Sequence, residues 1–190
     1  MANPNAPFGF NPVGKIGSGP SQKMNQYKIA SAYDTLICQG DAVIPATGNI
    51  AAGTAGADLV GVFWGVNYND STTNKPIFKN QWPADTVTFG STSADAFVYD
   101  DPYQVFEIQG TTGTASAQAD IMISNEIVAT GGDTTTGTSN QTLKMTSPAA
   151  PGAAQLTTIG FSGNASRNQI DSAGCAVYNV VIAEHVYSNL

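Results

Sequence analysis

The chain is predicted to be all-β, and three observations carry that expectation. Short runs rich in Val, Ile, Tyr, Phe and Thr recur along its length and are separated by Gly, Asn, Asp and Pro turn signals. The 20 glycines come with an abundance of Thr, Ser and Ala, while charged residues make up only 11%; this composition suits short strands and many turns. No segment sustains a helical apolar period. The expected architecture is a compact β-barrel or β-sandwich body of roughly nine or ten short strands with at most one or two short helices.

Residues 1–25 read as an extended N-terminal arm and residues 26–190 as a single body. In the arm, Pro4, Pro7, Pro12 and Pro20 remove backbone donors, and Gly9, Gly14, Gly17 and Gly19 loosen the rest. Phe8, Phe10, Pro12, Val13 and Ile16 are its apolar members and the candidate anchors for a partner surface. Their energetics favour more than one attachment. Burying a phenylalanine is worth about 1.5–3 kcal/mol, whereas ordering backbone costs about 1–2 kcal/mol per residue.

Within the body, "QYKIASAY" (26–33) and "TLICQGDAVIP" (35–45) are strand-like, the second broken by a QGD turn. The Gly/Ala/Thr-rich stretch 46–58 is expected to be a surface loop. "DLVGVFWGVNYN" (58–69) is apolar on both faces and should lie at the centre of the domain. A turn at 69–76 returns the chain as "PIFKNQW" (76–82), a hairpin partner. "TVTFG" (86–90), "DAFVYDD" (95–101) and "YQVFEIQ" (103–109) are further strands. The last alternates, with Phe106 and Ile108 opposite Val105 and Glu107. Over 114–130 a weak helical stripe competes with strand, and 131–140 is a polar loop. "QTLKMTS", "AQLTTIGFS" and a final strand over 175–187 complete the chain. Trp64, Trp82, Phe63 and Phe78 fall on these strands as core or interface residues, a carbohydrate-binding face being the alternative.

The formal net charge is −7, from 7 basic and 14 acidic residues, and no Lys/Arg cluster exists to track phosphates; nucleic acid is not an expected partner. The longest apolar run, "LVGVFWGV" (59–66), is too short to span a bilayer as a helix, and the start lacks the pattern of a secretory signal. Cys38 and Cys175 match no metal or redox spacing and read as buried, reduced thiols.

Candidate chemistry is sparse. His185, the single histidine, reads as a polar residue fraying at the end of the terminal strand. "GFSGN" (160–164) is a poor match to a nucleophile elbow, with Asn164 in the last glycine's place. Asp100 and Asp101, with Glu107 a strand away, are the acids a glycosidase could use, though adjacent acids before a proline suit a solvated turn. Asp- and Thr-rich loops lack the spacing of a calcium site, and no nucleotide-binding motif is present. No catalytic residue, cofactor or metal is expected.

The opening "MANPNAPFGFNPVGKIGSG", the middle segments "DDPYQVFEIQ" and "GDTTTGTS", and the tail "NQIDSAGCAVYNVVIAEHVY" resemble, in that order, decoration or cement proteins of tailed-bacteriophage capsids. The resemblance implies a head-stabilising virion protein with a compact β-barrel or β-tulip body on the outer capsid surface, assembled in the bacterial cytoplasm. It also implies the major capsid protein as partner and a homotrimer at local three-fold positions, with the N-terminal arm lying along the shell. No catalytic residues come with it. The alternative function is a carbohydrate- or receptor-binding β-module of a phage head or tail fibre.

Overall fold

The computed structural model describes residues 2–17, 19, 23–170 and 174–188. Strand accounts for 43% of the chain and helix for 3%, so the all-β expectation holds. In chain order the strands are β1 (Asn11–Lys15), β2 (Met24–Ile29), β3 (Ile37–Cys38), β4 (Ala42–Ala46), β5 (Asn49–Ala52), β6 (Gly61–Asn69), β7 (Pro76–Lys79) and β8 (Gln81–Trp82). They continue with β9 (Ala94–Tyr99), β10 (Gln104–Gln109), β11 (Ser124–Asn125), β12 (Ile127–Val128), β13 (Thr142–Leu143), β14 (Leu156–Phe161) and β15 (Val177–Ile182). Among the described residues no helix is long and apolar enough to cross a membrane.

Two antiparallel sheets dominate. One has the order β1-β10-β15-β14-β11; the other runs β2-β9-β6-β4-β5, with β7 added to the far end of β6. The second sheet curls until its edges β2 and β5 lie side by side, forming an incomplete barrel. Its interior is filled by Ile29, Val43, Ile50, Phe63, Val66, Tyr68, Ala96 and Val98, and the short β3–β8 pair carries Ile37 and Trp82 into the same cluster. The Trp82 indole donates to the Tyr33 carbonyl at 3.2 Å, which satisfies its N–H.

A second core lies between the first sheet and the outside of the barrel. Phe106, Ile108, Tyr178, Val180, Ile182 and Leu156 meet Ala42, Val62 and Tyr99 there. β6 serves both cores: Val62 faces the first sheet while Phe63, Val66 and Tyr68 face the barrel interior. That double duty explains why its sequence is apolar on both faces.

The N-terminal stretch departs most from expectation. Residues 2–17 are not an arm standing off the body; they are part of it. β1 pairs with β10, setting Pro12 opposite Phe106 and Lys15 opposite Gln104. Phe10 is only 1% exposed and meets Phe106 edge-on, the ring centroids 5.8 Å apart. Sequence periodicity misses this because anchoring depends on one aromatic and a bulged five-residue strand, too short to show alternation. Residues 1, 18 and 20–22 of the expected arm, Pro20 included, lie outside the described residues.

Three smaller corrections share a cause, which is that tertiary pairing decides short segments. The expected loop 46–58 contains β5, folded onto β4 through Thr47 and Gly48, both at positive φ. The expected strand 86–90 supplies only a bridge from Thr88 to Asp70 and a turn of 3₁₀ helix at Phe89–Ser91. Over 114–130 one 3₁₀ turn (Gln118–Asp120) precedes β11 and β12, so the helical stripe is not used.

Phe10→Ala is expected to destabilise the whole domain by about 3–5 kcal/mol through the cavity it leaves. Urea unfolding would read this as a lower midpoint at unchanged slope. A midpoint equal to the parent's would mean the segment is held too loosely to matter.

Candidate functional site

The five nominated residues divide into holders and presenters. Phe10 is sealed in the core, and Pro12 is buried opposite Phe106. Phe8 is half-buried, with the Arg167 guanidinium 5.4 Å above its ring. Further upstream, the Asn3 side chain donates to the Gln169 and Gly174 carbonyls at 3.0 and 3.2 Å. These contacts pin the segment, so Phe8, Phe10 and Pro12 are committed to their own chain. Val13 and Ile16 remain outside, 43% and 46% exposed.

β1 is an edge strand that carries a proline and a register shift between Pro12 and Gly14. Both features blunt an edge against strand addition. A partner would therefore meet side chains rather than open backbone. Ile16 lies in a groove of about 460 Å³ with Pro102, Tyr103, Val181, Ile182 and Tyr187. Tyr103, at 61% exposure, is one of the most solvent-open large side chains of the protein. The Ile16 N–H donates to the Tyr103 carbonyl at 2.9 Å, which fixes the two beside each other.

Tyr187 also lines a polar cleft of about 490 Å³ with Lys23, Asn25, Tyr27, Asp100 and Asp101. Asp100 is buried and accepts from the Asn25 amide at 2.9 and 3.0 Å and from the Tyr27 hydroxyl at 2.7 Å. Burial first, and then the Asp100 carboxylate, push the Tyr27 phenol well above its ordinary range. Asp101 pairs with Lys15 of β1 and accepts the Tyr103 N–H at 2.9 Å. Partial burial pushes its carboxyl up, but the Lys15 ammonium and the Tyr103 N–H together outweigh this and hold it below the ordinary value.

His185 is corrected here: it is 3% exposed, not frayed. The chain after β15 is clipped to Leu59, with the Leu59 N–H donating to the Glu184 carbonyl and the Val186 N–H to the Leu59 carbonyl. His185 Nδ1 accepts the Tyr187 N–H at 3.0 Å, which puts the neutral ring's proton on Nε2. That Nε2 is enclosed and lacks a well-formed hydrogen bond. Burial lowers the imidazole pKa and outweighs the opposing pull of Asp100 and Asp101.

The acids and the elbow do not converge. Asp100 and Asp101 share the cleft, but Glu107 accepts the Ser162 hydroxyl at 2.7 Å elsewhere on the first sheet, so Ser162 is paired with Glu107 and not with His185. Among the described residues no three His, Cys, Asp or Glu side chains stand close enough to hold a metal ion. Cys38 and Cys175 are free and buried, and burial with the nearby Asp41 pushes the Cys38 thiol up to about 12. Sequence reasoning missed Tyr103 and Tyr187 as surface formers. The outward phase of Tyr103 beside β10 was a usable signal, whereas Tyr187 had none.

Because the folded-state pKa of His185 lies below its ordinary 6.5, the unfolded chain binds the extra proton first as pH falls. This residue's contribution is fully present above pH 6.5 and is lost progressively on acidification below it. A His185→Gln variant should therefore lose less stability than the parent between about pH 7 and pH 5. Parallel melting curves at the two pH values check it; equal losses in both proteins would contradict the assignment.

No protein-family model, no curated protein and no solved structure matches this chain.

Proposed function

We propose that this protein is a structural component of a phage head that binds the outer surface of the expanded capsid and cements neighbouring major capsid protein subunits. The supporting observation is the groove at Ile16, Tyr103 and Val181. Buried members of the N-terminal segment hold its exposed members rigidly against the first sheet, making a preformed apolar surface beside an acidic cleft. The likeness of the opening, middle and tail segments to capsid decoration proteins points the same way. In this reading the contact belongs to the body and not to a free arm.

Preorganisation matters for strength. A mobile arm would have to be ordered on binding, whereas this segment is already fixed by folding. Ile16 and Tyr103 are already partly covered, so burying the remainder would contribute about 1 kcal/mol each, a weak grip for one copy. Association as a homotrimer at a three-fold position would multiply it by avidity, by about 10²–10⁴.

The test is co-sedimentation with DNA-free expanded shells of the cognate capsid, comparing the parent chain with an Ile16→Asp/Tyr103→Asp variant. Both positions are exposed, so the variant should fold with a near-parental melting temperature. Saturable binding by the parent, weakened at least about tenfold in the variant, is expected. Absence of binding by the parent would overturn the function, and equal binding by both would overturn the contact surface. Deleting the whole segment is the poorer test, because it also removes Phe10 from the core.

A further inference from the structure

The barrel's outer face is only partly covered by the first sheet. At the covered end, Val62 and Tyr99 belong to the shared core; at the other end Asn67, Phe78, Asp95 and Phe97 project from β6, β7 and β9 on the same side. Here the four aromatics singled out in the sequence separate. Phe63 and Trp82 are fully buried, whereas Phe78 is 71% exposed and Trp64 half-buried. Trp64, Phe78 and Phe97 line one shallow groove of about 370 Å³, with Gln39, Lys79 and Asn80 on its border.

Local backbone features make this groove. The register between β6 and β9 shifts from Phe63 to Gly65, leaving Trp64 as the extra residue of a bulge. Bulges re-aim side chains and bend strands near surfaces that are used. The Trp64 indole is then fixed edge-on to Tyr99, with centroids 5.2 Å apart and planes at 72°. Gly65 stands opposite Phe97 and offers no side chain to cover that ring. Phe78 is largely exposed and Phe97 half-buried, and among the described residues neither makes a ring–ring contact.

Polar groups border the rings without charging the groove heavily. The Asn80 amide donates to the Thr136 carbonyl at 2.8 Å, and the Gln39 N–H to the Gly137 carbonyl at 2.9 Å. These bonds draw the hydroxyl-rich loop 131–140 alongside. Solvent-exposed aromatic surface next to uncharged amides suits a ligand with an apolar C–H face and a rim of hydroxyls. One lysine in the groove of a chain with net charge −7 is poor complementarity for a polyanion such as single-stranded nucleic acid.

We propose that the Trp64–Phe78–Phe97 groove is a binding site for neutral saccharides, independent of the proposed capsid contact on the first sheet. The ligand class is a hexose-containing glycan. A pyranose ring stacks on Phe78 and Phe97, and its hydroxyls bond to the side chains of Gln39 and Asn80.

Intrinsic fluorescence tests this directly, because Trp82 is fully buried and a ligand in the groove would act on Trp64. The full chain is titrated with cellohexaose, laminarihexaose, maltohexaose and hexa-N-acetylchitohexaose. Saturable emission change with at least one is expected, at a dissociation constant of about 0.1–10 mM for so open a site. Phe78→Ala should weaken it at least about tenfold at parental melting temperature, while Ile16→Asp/Tyr103→Asp leaves it unchanged. No saturable response to any of the four sugars, or an unaltered response in Phe78→Ala, overturns the site. Loss of shell co-sedimentation in Phe78→Ala would instead make the groove part of a protein contact and also overturn it. Failure of the parent to bind shells, with sugar binding intact, would count against the head-protein reading alone.

Discussion

Phe10 sits where the first sheet, the barrel wall and the N-terminal segment meet. Its ring packs on Phe106 of β10, its N–H donates to the Gly40 carbonyl at 2.9 Å, and Gly40 sits in the turn between β3 and β4 of the barrel assembly. Gly9 makes this approach possible. Its φ is +69°, and a Cβ there would lie 2.3 Å from Ser139 Cβ and 2.5 Å from the Gly40 carbonyl oxygen. The exposed surface at Ile16 and Tyr103, the Lys15–Asp101 pair and the closure of the shared core all follow from that anchoring. A segment that would be costly to order on a partner is ordered once, during folding.

A chain with so few charges satisfies its interior with amides. Gln104 donates to the Gly14 carbonyl at 2.6 Å, and Gln109 accepts the Ala6 N–H at 3.1 Å, so two glutamines of β10 hold the N-terminal segment. Gln141 accepts the Ala42 N–H at 2.9 Å. Gln155 accepts from Ile127 and donates to the Thr54 and Ala57 carbonyls at 2.8 and 2.7 Å. All four glutamines are buried. A carboxamide carries donor and acceptor together and avoids the desolvation cost of an ion, so irregular loops can be attached to the sheets without buried charge. Among the described residues the buried carboxylates are Asp41, which accepts the Cys38 N–H at 2.7 Å in the turn between β3 and β4, and Asp100 in the surface cleft, which takes the Asn25 amide and the Tyr27 hydroxyl.

The two candidate surfaces lie on different sheets and differ in chemistry. The Ile16–Tyr103 groove joins an acidic cleft that is rich in satisfied hydrogen bonds, which suits a protein partner with its own polar rim. The Trp64–Phe78–Phe97 groove is open and aromatic, and depends on a bulge and a glycine. Their separation allows one molecule to be attached to a scaffold through one face while the other stays free.

The β class, the central place of β6, the QGD break between β3 and β4, and the placing of Phe106 and Ile108 on the face opposite Val105 and Glu107 are legible in the sequence alone. Each of these is written in local alternation or turn chemistry, and a two-residue period needs no distant partner to be read. Residues without a period were placed by long-range pairing alone. Phe8, Phe10 and Pro12 looked like anchors for another molecule because no local pattern shows that β10 and Gly40 will receive them. His185 looked frayed because its burial comes from pairing with Leu59, more than a hundred positions earlier in the chain. Phe63 and Phe78 are equally apolar as letters, yet one fills the barrel and the other faces water, since the bulge at Trp64 and the edge position of β7 are set by packing between strands. Local chemistry specified the elements, and long-range pairing chose which of their side chains were left to meet a partner.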